Sequence, residues 1–128
     1  MAAALVADTS SWIPYLNGRD APLLDRALRE RRVLLPPIVA SELASGNYHR
    51  QELLWLQSLL SNVPLIATDL AHCIRTGRLR AALRAHGLNV TIADAHVAQC
   101  ALDLDADLLT EDDVFRRIAR HSRLRLAH

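Results

Sequence analysis

Short apolar runs alternate with longer stretches of helical period along this chain, and few folds accommodate that alternation. The runs Ala3–Ala7, Val33–Leu35, Leu65–Ala67 and Leu108–Leu109 read as buried strands, with Leu124–Leu126 as a further candidate. Between them, Leu23, Leu24, Ala27 and Leu28 form one helical stripe, and Leu53, Leu56, Leu59 and Leu60 form another. Cys73–His86 is a third, arginine-decorated helix, with Gly87 placed just beyond its end. Strands alternating with helices predict an α/β domain with a mainly parallel sheet, whose ligands gather at the carboxyl ends of the strands.

A length of 128 residues fits one domain, spanning 1–128, around one core. Hydrophobic residues make up 51% of the chain, yet no uncharged run approaches the roughly 20 residues of a membrane span. The opening Met1 to Asp8 has no basic start and reads as a first strand rather than an export signal, so a cytoplasmic location is expected. Cys73 and Cys100 have no CxxC spacing and lie in apolar helical patterns, where both are expected to pack as free thiols in the core. A net charge of +1 excludes a globally basic nucleic-acid binder. All 15 cationic residues are arginine, so lysine chemistry and a Walker-type phosphate loop are excluded as well. Arginine suits bidentate phosphate contacts, although a GC-rich genome gives the same bias.

Four acidic residues carry the chemistry. Asp8 ends the first apolar run and stands where a site in such a sheet forms, although it could equally cap the helix that starts near Ser10. Glu42 lies in a helix opened by Pro36 and Pro37 and closed by Gly46, on the face shared by Ile38 and Val39, with a partly exposed helix edge as the structural alternative. Asp94 completes a capping box with Thr91, and shares a face with Ala98 and Ala101 that is expected to pack inward. In the last motif, Thr110 as cap places Asp113 at the third helical position. That leaves Asp112 to point across the strand end and Glu111 to face solvent. Two like charges at 4 Å cost roughly 4 kcal/mol at an effective dielectric near 20. Convergence of the four would therefore call for a hard cation such as Mg²⁺, which prefers carboxylate and water oxygens.

Other polar groups read as structural. Asp69-x-x-His72 and Asp94-x-His96 do not match a zinc signature, and surface or packing roles are expected for the six histidines. Asp103–Asp107 reads as a solvated helix end, lacking the glycine and glutamate of a calcium loop. Arg75, Arg78, Arg80 and Arg84 decorate one helix, and Arg116, Arg117, Arg120, Arg123 and Arg125 run to the C-terminus. These are candidates for a positive rim facing substrate phosphates, while 4% aromatic residues are too few for a base-stacking platform.

Taken in order, Val6-Ala-Asp8-Thr-Ser-Ser-Trp, Val39-Ala-Ser-Glu42-Leu with Gly46, Ile92-Ala-Asp94-Ala-His-Val-Ala-Gln-Cys-Ala and Leu108-Leu-Thr110-Glu-Asp112-Asp-Val-Phe115 form a pattern. It resembles the PIN domain, specifically VapC-type toxins of prokaryotic toxin–antitoxin pairs, over essentially the whole chain. The resemblance implies a three-layer α/β/α sandwich in which Asp8, Glu42, Asp94 and Asp112 are both catalytic residues and ligands of Mg²⁺ or Mn²⁺. It implies support from Thr9 or Ser10 and from Thr110, cleavage of single-stranded or looped RNA, a homodimer, and a small antitoxin that obstructs the site in a hetero-oligomer. Asp113 is kept as a capping or outer residue. Two other readings stand beside this one. A receiver domain or aspartate-nucleophile phosphatase conflicts with Ser at position 10 and the absence of lysine. A catalytically silent PIN-like module that binds RNA or protein would lack metal-dependent cleavage.

Overall fold

The computed structural model describes residues 2–128, leaving Met1 and its place in the expected first strand outside the described residues. Four short strands, β1 (Leu5–Ala7), β2 (Val33–Leu34), β3 (Asp107–Leu109) and β4 (Arg125–Leu126), form one sheet in the order β2-β1-β3-β4. Every pairing is parallel: Leu5 lies opposite Val33 and Asp107, and Leu108 opposite Leu126. The expected run Leu65–Ala67 contributes a single parallel bridge, Leu65 to Leu35; Pro64 offers no N–H before it, and the paired segment enters a helix at Pro37 just after Leu35.

Seven helices surround the sheet: α1 (Thr9–Leu16), α2 (Pro22–Arg29), α3 (Pro37–Ala44), α4 (Arg50–Ser61), α5 (Leu70–Ala85), α6 (Ile92–Asp103) and α7 (Val114–Arg120). Their boundaries follow local chemistry. Pro37 opens α3 after Pro36, since the missing N–H would be unpaired there in any case. The Asp69 carboxylate accepts from the His72 N–H at the start of α5, and Gly87, with φ +79°, follows its end. Thr91 caps α6 by accepting from the Asp94 N–H at 3.1 Å. Gly46 lies beyond α3 with an ordinary backbone, and its missing side chain makes room for the Tyr48 ring, since a Cβ there would stand 3.0 Å from it.

The core is built where the sheet meets α6. Val6, Ala7 and Leu108 are fully buried, as are Ala95, Ala98 and Cys100 of α6. Small side chains along α6 bring its backbone close to β1 and β3, while α5 packs along its outer side. Trp12, Phe115, Leu24 and Ile118 close the ends of this core, each contributing about 1.5–3 kcal/mol by burial. Of the two cysteines expected inside, Cys100 is buried. Cys73 is exposed, because it lies on the side of α5 turned away from α6.

The chain order creates a crevice. From β1 the chain runs through α1 and α2 to β2 on one side, whereas from β3 it runs through α7 to β4 on the other. Right-handed crossovers send such opposed connections to opposite faces of the sheet, leaving an opening above the adjacent carboxyl ends of β1 and β3.

Candidate active site

Asp8 follows β1 directly and is clamped to the end of β3, its N–H donating to the Leu109 carbonyl at 3.1 Å. The residue is 6% exposed. It occupies the cap position of α1, but its carboxylate makes no capping hydrogen bond; the helical turn is closed by its carbonyl instead. The two carboxylate oxygens are held separately: Ser10 Oγ donates to Oδ1 at 2.7 Å, and Thr110 Oγ1 donates to Oδ2 at 3.0 Å. Both hydroxyl protons are thereby committed to Asp8, so the 3.4 Å approach of Ser10 Oγ to Thr110 Oγ1 is a contact without a proton to share. Their lone pairs face the backbone after β3. Glu111 N–H donates to Ser10 Oγ, and Asp112 N–H donates to Thr110 Oγ1, both at 2.9 Å.

The motif after β3 is built differently from the expected capping box. Thr110 does not cap α7, because the helix starts only at Val114, with Asp113 at its cap position and no capping bond from that side chain. Two successive side-chain turns replace the box: Thr110 accepts from Asp112 N–H, and Asp112 Oδ1 accepts from Val114 N–H at 3.0 Å. Asp112 is therefore exposed, with one oxygen held by the start of α7, and its charge acts on Asp8 and Asp94. Asp113 is solvated, with long contacts to Arg116 and Arg117 at 3.9 and 3.8 Å.

Glu42 is exposed rather than set among Ile38 and Val39 on an inward face. The register of α3 buries Val39 and Leu43, and Glu42 falls at the edge beside α1. There it accepts from Thr9 Oγ1 at 2.9 Å, which ties α3 to the start of α1. Asp94 is half-buried in the first turn of α6, above the buried Ala98 and Ala101.

Electrostatics show which of these groups sense one another. Burial pushes the Asp8 carboxyl above the ordinary aspartate value, against the pull of the Ser10 and Thr110 hydroxyls, and the Asp112 charge pushes it further. Burial also raises Asp94, opposed by the Thr91 hydroxyl and reinforced by the charges on Asp112 and Glu42. Asp112 is thus within electrostatic reach of both Asp8 and Asp94, and Glu42 of Asp94. The donor set is all carboxylate and is ringed by hydroxyls, which suits a hard cation such as Mg²⁺ or Mn²⁺ that retains waters of its own. Such a cation would relieve the repulsion that raises Asp8 and Asp94.

Three of the nine arginines of the expected rim are occupied elsewhere. Arg75 binds Asp103 through two nitrogens at 2.9 Å, Arg80 donates to the Val90 carbonyl, and Arg125 spans Asp105 and Asp107. Asp103–Asp107 is the expected solvated end of α6 and the turn into β3, and its aspartates also anchor Arg75 and Arg125. Arg116 and Arg117, in the first turn of α7 beyond Asp112, remain exposed.

His72 takes the expected packing role, buried and hydrogen-bonded between α5 and α6. His72 of α5 meets His96 and Cys100 of α6, with ligating atoms of all three within 4.8 Å of one another. A sequence signal was present, since His96 and Cys100 are four apart on a helix and share a face. The third member comes from another helix, and no local spacing reveals it.

The family model of the PIN domain matches residues 5–121. Among solved structures, the chain is similar to VapBC2 from Rickettsia felis bound to a DNA fragment from their promoter. The TM-score is 0.80 at 20% identity, with 97% of each chain covered. DNA-bound VapBC from Salmonella typhimurium gives a TM-score of 0.78 at 21% identity, covering 98% of this chain and 97% of that one. FitAcB from Neisseria gonorrhoeae gives 0.69 at 17% identity, covering 97% and 96%. At these identities the likeness is one of fold. No curated protein matches the chain.

Proposed function

Because the chain belongs to the PIN-domain family, we propose that it is a single-domain, Mg²⁺- or Mn²⁺-dependent endoribonuclease, the toxin of a toxin–antitoxin pair. The observation that carries this reading is the crevice itself. A buried Asp8 is held by two hydroxyls at the carboxyl end of β1, the Asp112 charge acts on both Asp8 and Asp94, and the Glu42 charge acts on Asp94.

Asp8, Asp94, Asp112 and Glu42 are the residues that would hold the cation, and all four are assigned as catalytic. A divalent ion bound there supplies Lewis-acid stabilisation of a phosphodiester and lowers the pKa of a bound water. Asp8 has the most fixed position, since Ser10 and Thr110 lock both its oxygens. Asp94 is set by the capped first turn of α6. Asp112 and Glu42 are more exposed, and in this reading they would hold and orient water for attack on the scissile phosphate. Thr9 positions Glu42, and Asp113 lies beside Arg116 and Arg117, which in this reading would meet flanking phosphates of the RNA.

In the partner reading, a homodimer binds a small antitoxin that blocks the crevice, in a cytoplasmic hetero-oligomer. The VapBC and FitAcB neighbours support it by fold. Among the described residues no helix is long and apolar enough to cross a membrane.

The test is cleavage of total cellular RNA by purified, antitoxin-free protein with Mg²⁺ or Mn²⁺, with EDTA, and with Asp94→Asn. Discrete products that require the metal and vanish in the variant support the nuclease. Folded, metal-bound protein that leaves every RNA intact points instead to the silent binding module.

A further inference from the structure

We propose that His72, His96 and Cys100 form a second metal site, separate from the acidic crevice, selective for a thiophilic divalent ion and for Zn²⁺ first. His72 Nε2 lies 3.0 Å from His96 Nδ1, while Cys100 Sγ lies 3.6 Å from His96 Nε2 and 4.0 Å from His72 Nε2. A tetrahedral zinc ion holds nitrogen at about 2.0–2.1 Å and thiolate sulfur at about 2.3 Å. Its ligand atoms are then separated by about 3.3 Å for two nitrogens and about 3.6 Å for nitrogen and sulfur. The 3.0 Å separation is made by His96 Nδ1 and the 3.6 Å separation by its Nε2, so an ion bound through one His96 nitrogen requires a modest closure of the cluster, whose ligating atoms lie within 4.8 Å of one another.

The surroundings match what a metal-bound imidazole requires. His72 Nδ1 is 2.8 Å from Asp103 Oδ2, and Asp103 is fixed in turn by Arg75 and by Gln99 Nε2. An ionised carboxylate only accepts, so the His72 proton sits on Nδ1 and Nε2 presents a lone pair to the cluster. A carboxylate behind the imidazole is the usual means of fixing a ligating histidine. Thr76 Oγ1, 3.2 Å from His72 Nε2, adds a polar neighbour. Cys100 is fully buried and His72 is 3% exposed, so the donors are already shielded from water. Access runs through the half-buried His96, which lines a groove with Pro37, Ile38, Ser41, Ile92 and Ala93.

The proton count closes. Cys100 Sγ–H releases its proton to solvent as the sulfur binds the ion. His96 offers a nitrogen to each partner, and its one ring proton resides on whichever nitrogen does not ligate. The fourth position is left to water on the His96 side. Imidazole and thiolate donors favour zinc over Mg²⁺, whose preference is for oxygen, so the two sites discriminate by ligand chemistry. An ion here would clamp α5 to α6, the helix that carries Asp94.

The test is Co²⁺ titration of chelator-stripped Cys73→Ser protein, which lacks the exposed thiol, followed by absorption spectroscopy. The expected result is a thiolate-to-cobalt charge-transfer band with tetrahedral visible bands, saturating at a single ion per chain and displaced by Zn²⁺. The band persists in Asp94→Asn, disappears in Cys100→Ser, and weakens in Asp103→Asn with about 10–100-fold lower affinity. Because Cys100 is buried, His96→Gln provides an independent variant at a half-buried position, and it too should lose the tetrahedral spectrum. Absence of the charge-transfer band, or its survival in Cys100→Ser or His96→Gln, would overturn the site and leave a hydrogen-bonded packing network.

Discussion

Two polar clusters share helix α6 and are built on opposite principles. At its first turn, Asp94 joins carboxylates that repel one another, and burial with neighbouring charge raises both Asp8 and Asp94. Just beyond, His96 and Cys100 face α5, and Asp103 at the end of α6 is stabilised as an anion. The Arg75 hydrogen bonds draw its carboxyl well below the ordinary range, and His72 and Gln99 assist. The first cluster is frustrated without a cation, whereas the second satisfies itself with internal hydrogen bonds. Repulsion left unrelieved at a crevice marks a place for a ligand. A closed polar network marks a scaffold, and it acquires metal chemistry only where soft donors also converge.

The largest expected effect is in the crevice. Asp94→Asn abolishes cleavage while the metal-free protein stays folded, with thermal stability equal to or above that of the parent because like-charge repulsion is relieved. Circular dichroism melts alongside the RNA assay check both parts, and substantial cleavage by the variant would sink the assignment. Thr110→Val removes the hydroxyl joining Asp8 to the Asp112 backbone. Activity or metal affinity should fall by about 10–100-fold, as for other groups that orient ligands. An unchanged rate would show that Asp8 needs no such support.

In the second cluster, Asp103→Asn should destabilise the protein by about 2 kcal/mol, since charge-assisted bonds to Arg75 and His72 weaken together. Urea unfolding of parent and variant measures this. A loss below a few tenths would mean that the network is ornamental to stability.

Acidification separates the clusters by sign. Asp8 and Asp94 have raised folded values, so in EDTA they oppose folding at neutral pH, and that opposition fades as pH falls through those values. Asp103, lowered on folding, contributes stability above the unfolded aspartate value of 3.8 and loses it as pH falls toward its folded value. Between about pH 7 and pH 3, Asp8→Asn should therefore remove a gain in stability and Asp103→Asn should remove a loss. Identical slopes in the two variants would contradict the contrast. The smallest effect concerns Ser11, whose buried hydroxyl has no partner among the described residues. Ser11→Ala should be neutral or stabilising within about 0.5 kcal/mol by thermal melt, and a clear loss would reveal a missed hydrogen bond.

Most of the sheet was legible because its strands are uninterrupted apolar runs bounded by polar turns, and Asp8 was legible because it ends one of them. Asp94 could be read from its capping threonine and from the small residues on its face. The way Asp112 is held could not, because nested side-chain turns and a capping box use the same residue types at nearly the same spacing. Glu42 misled for a simpler reason: two apolar neighbours define a face only to within the width of a helix edge. The imidazole–thiol cluster and the exposure of Cys73 depend on the rotation of α5 against α6. That rotation is fixed by packing between residues 72 and 100, which are distant in sequence.

The most direct measurement is Mn²⁺ titration of chelator-stripped parent and Asp94→Asn by calorimetry, with RNA cleavage read in the same samples. The account predicts that cleavage rises in step with Mn²⁺ occupancy in the parent, and that both are lost together in the variant. Cleavage in EDTA, or undiminished Mn²⁺ binding and cleavage in Asp94→Asn, would contradict the claim that these carboxylates jointly hold the catalytic ion.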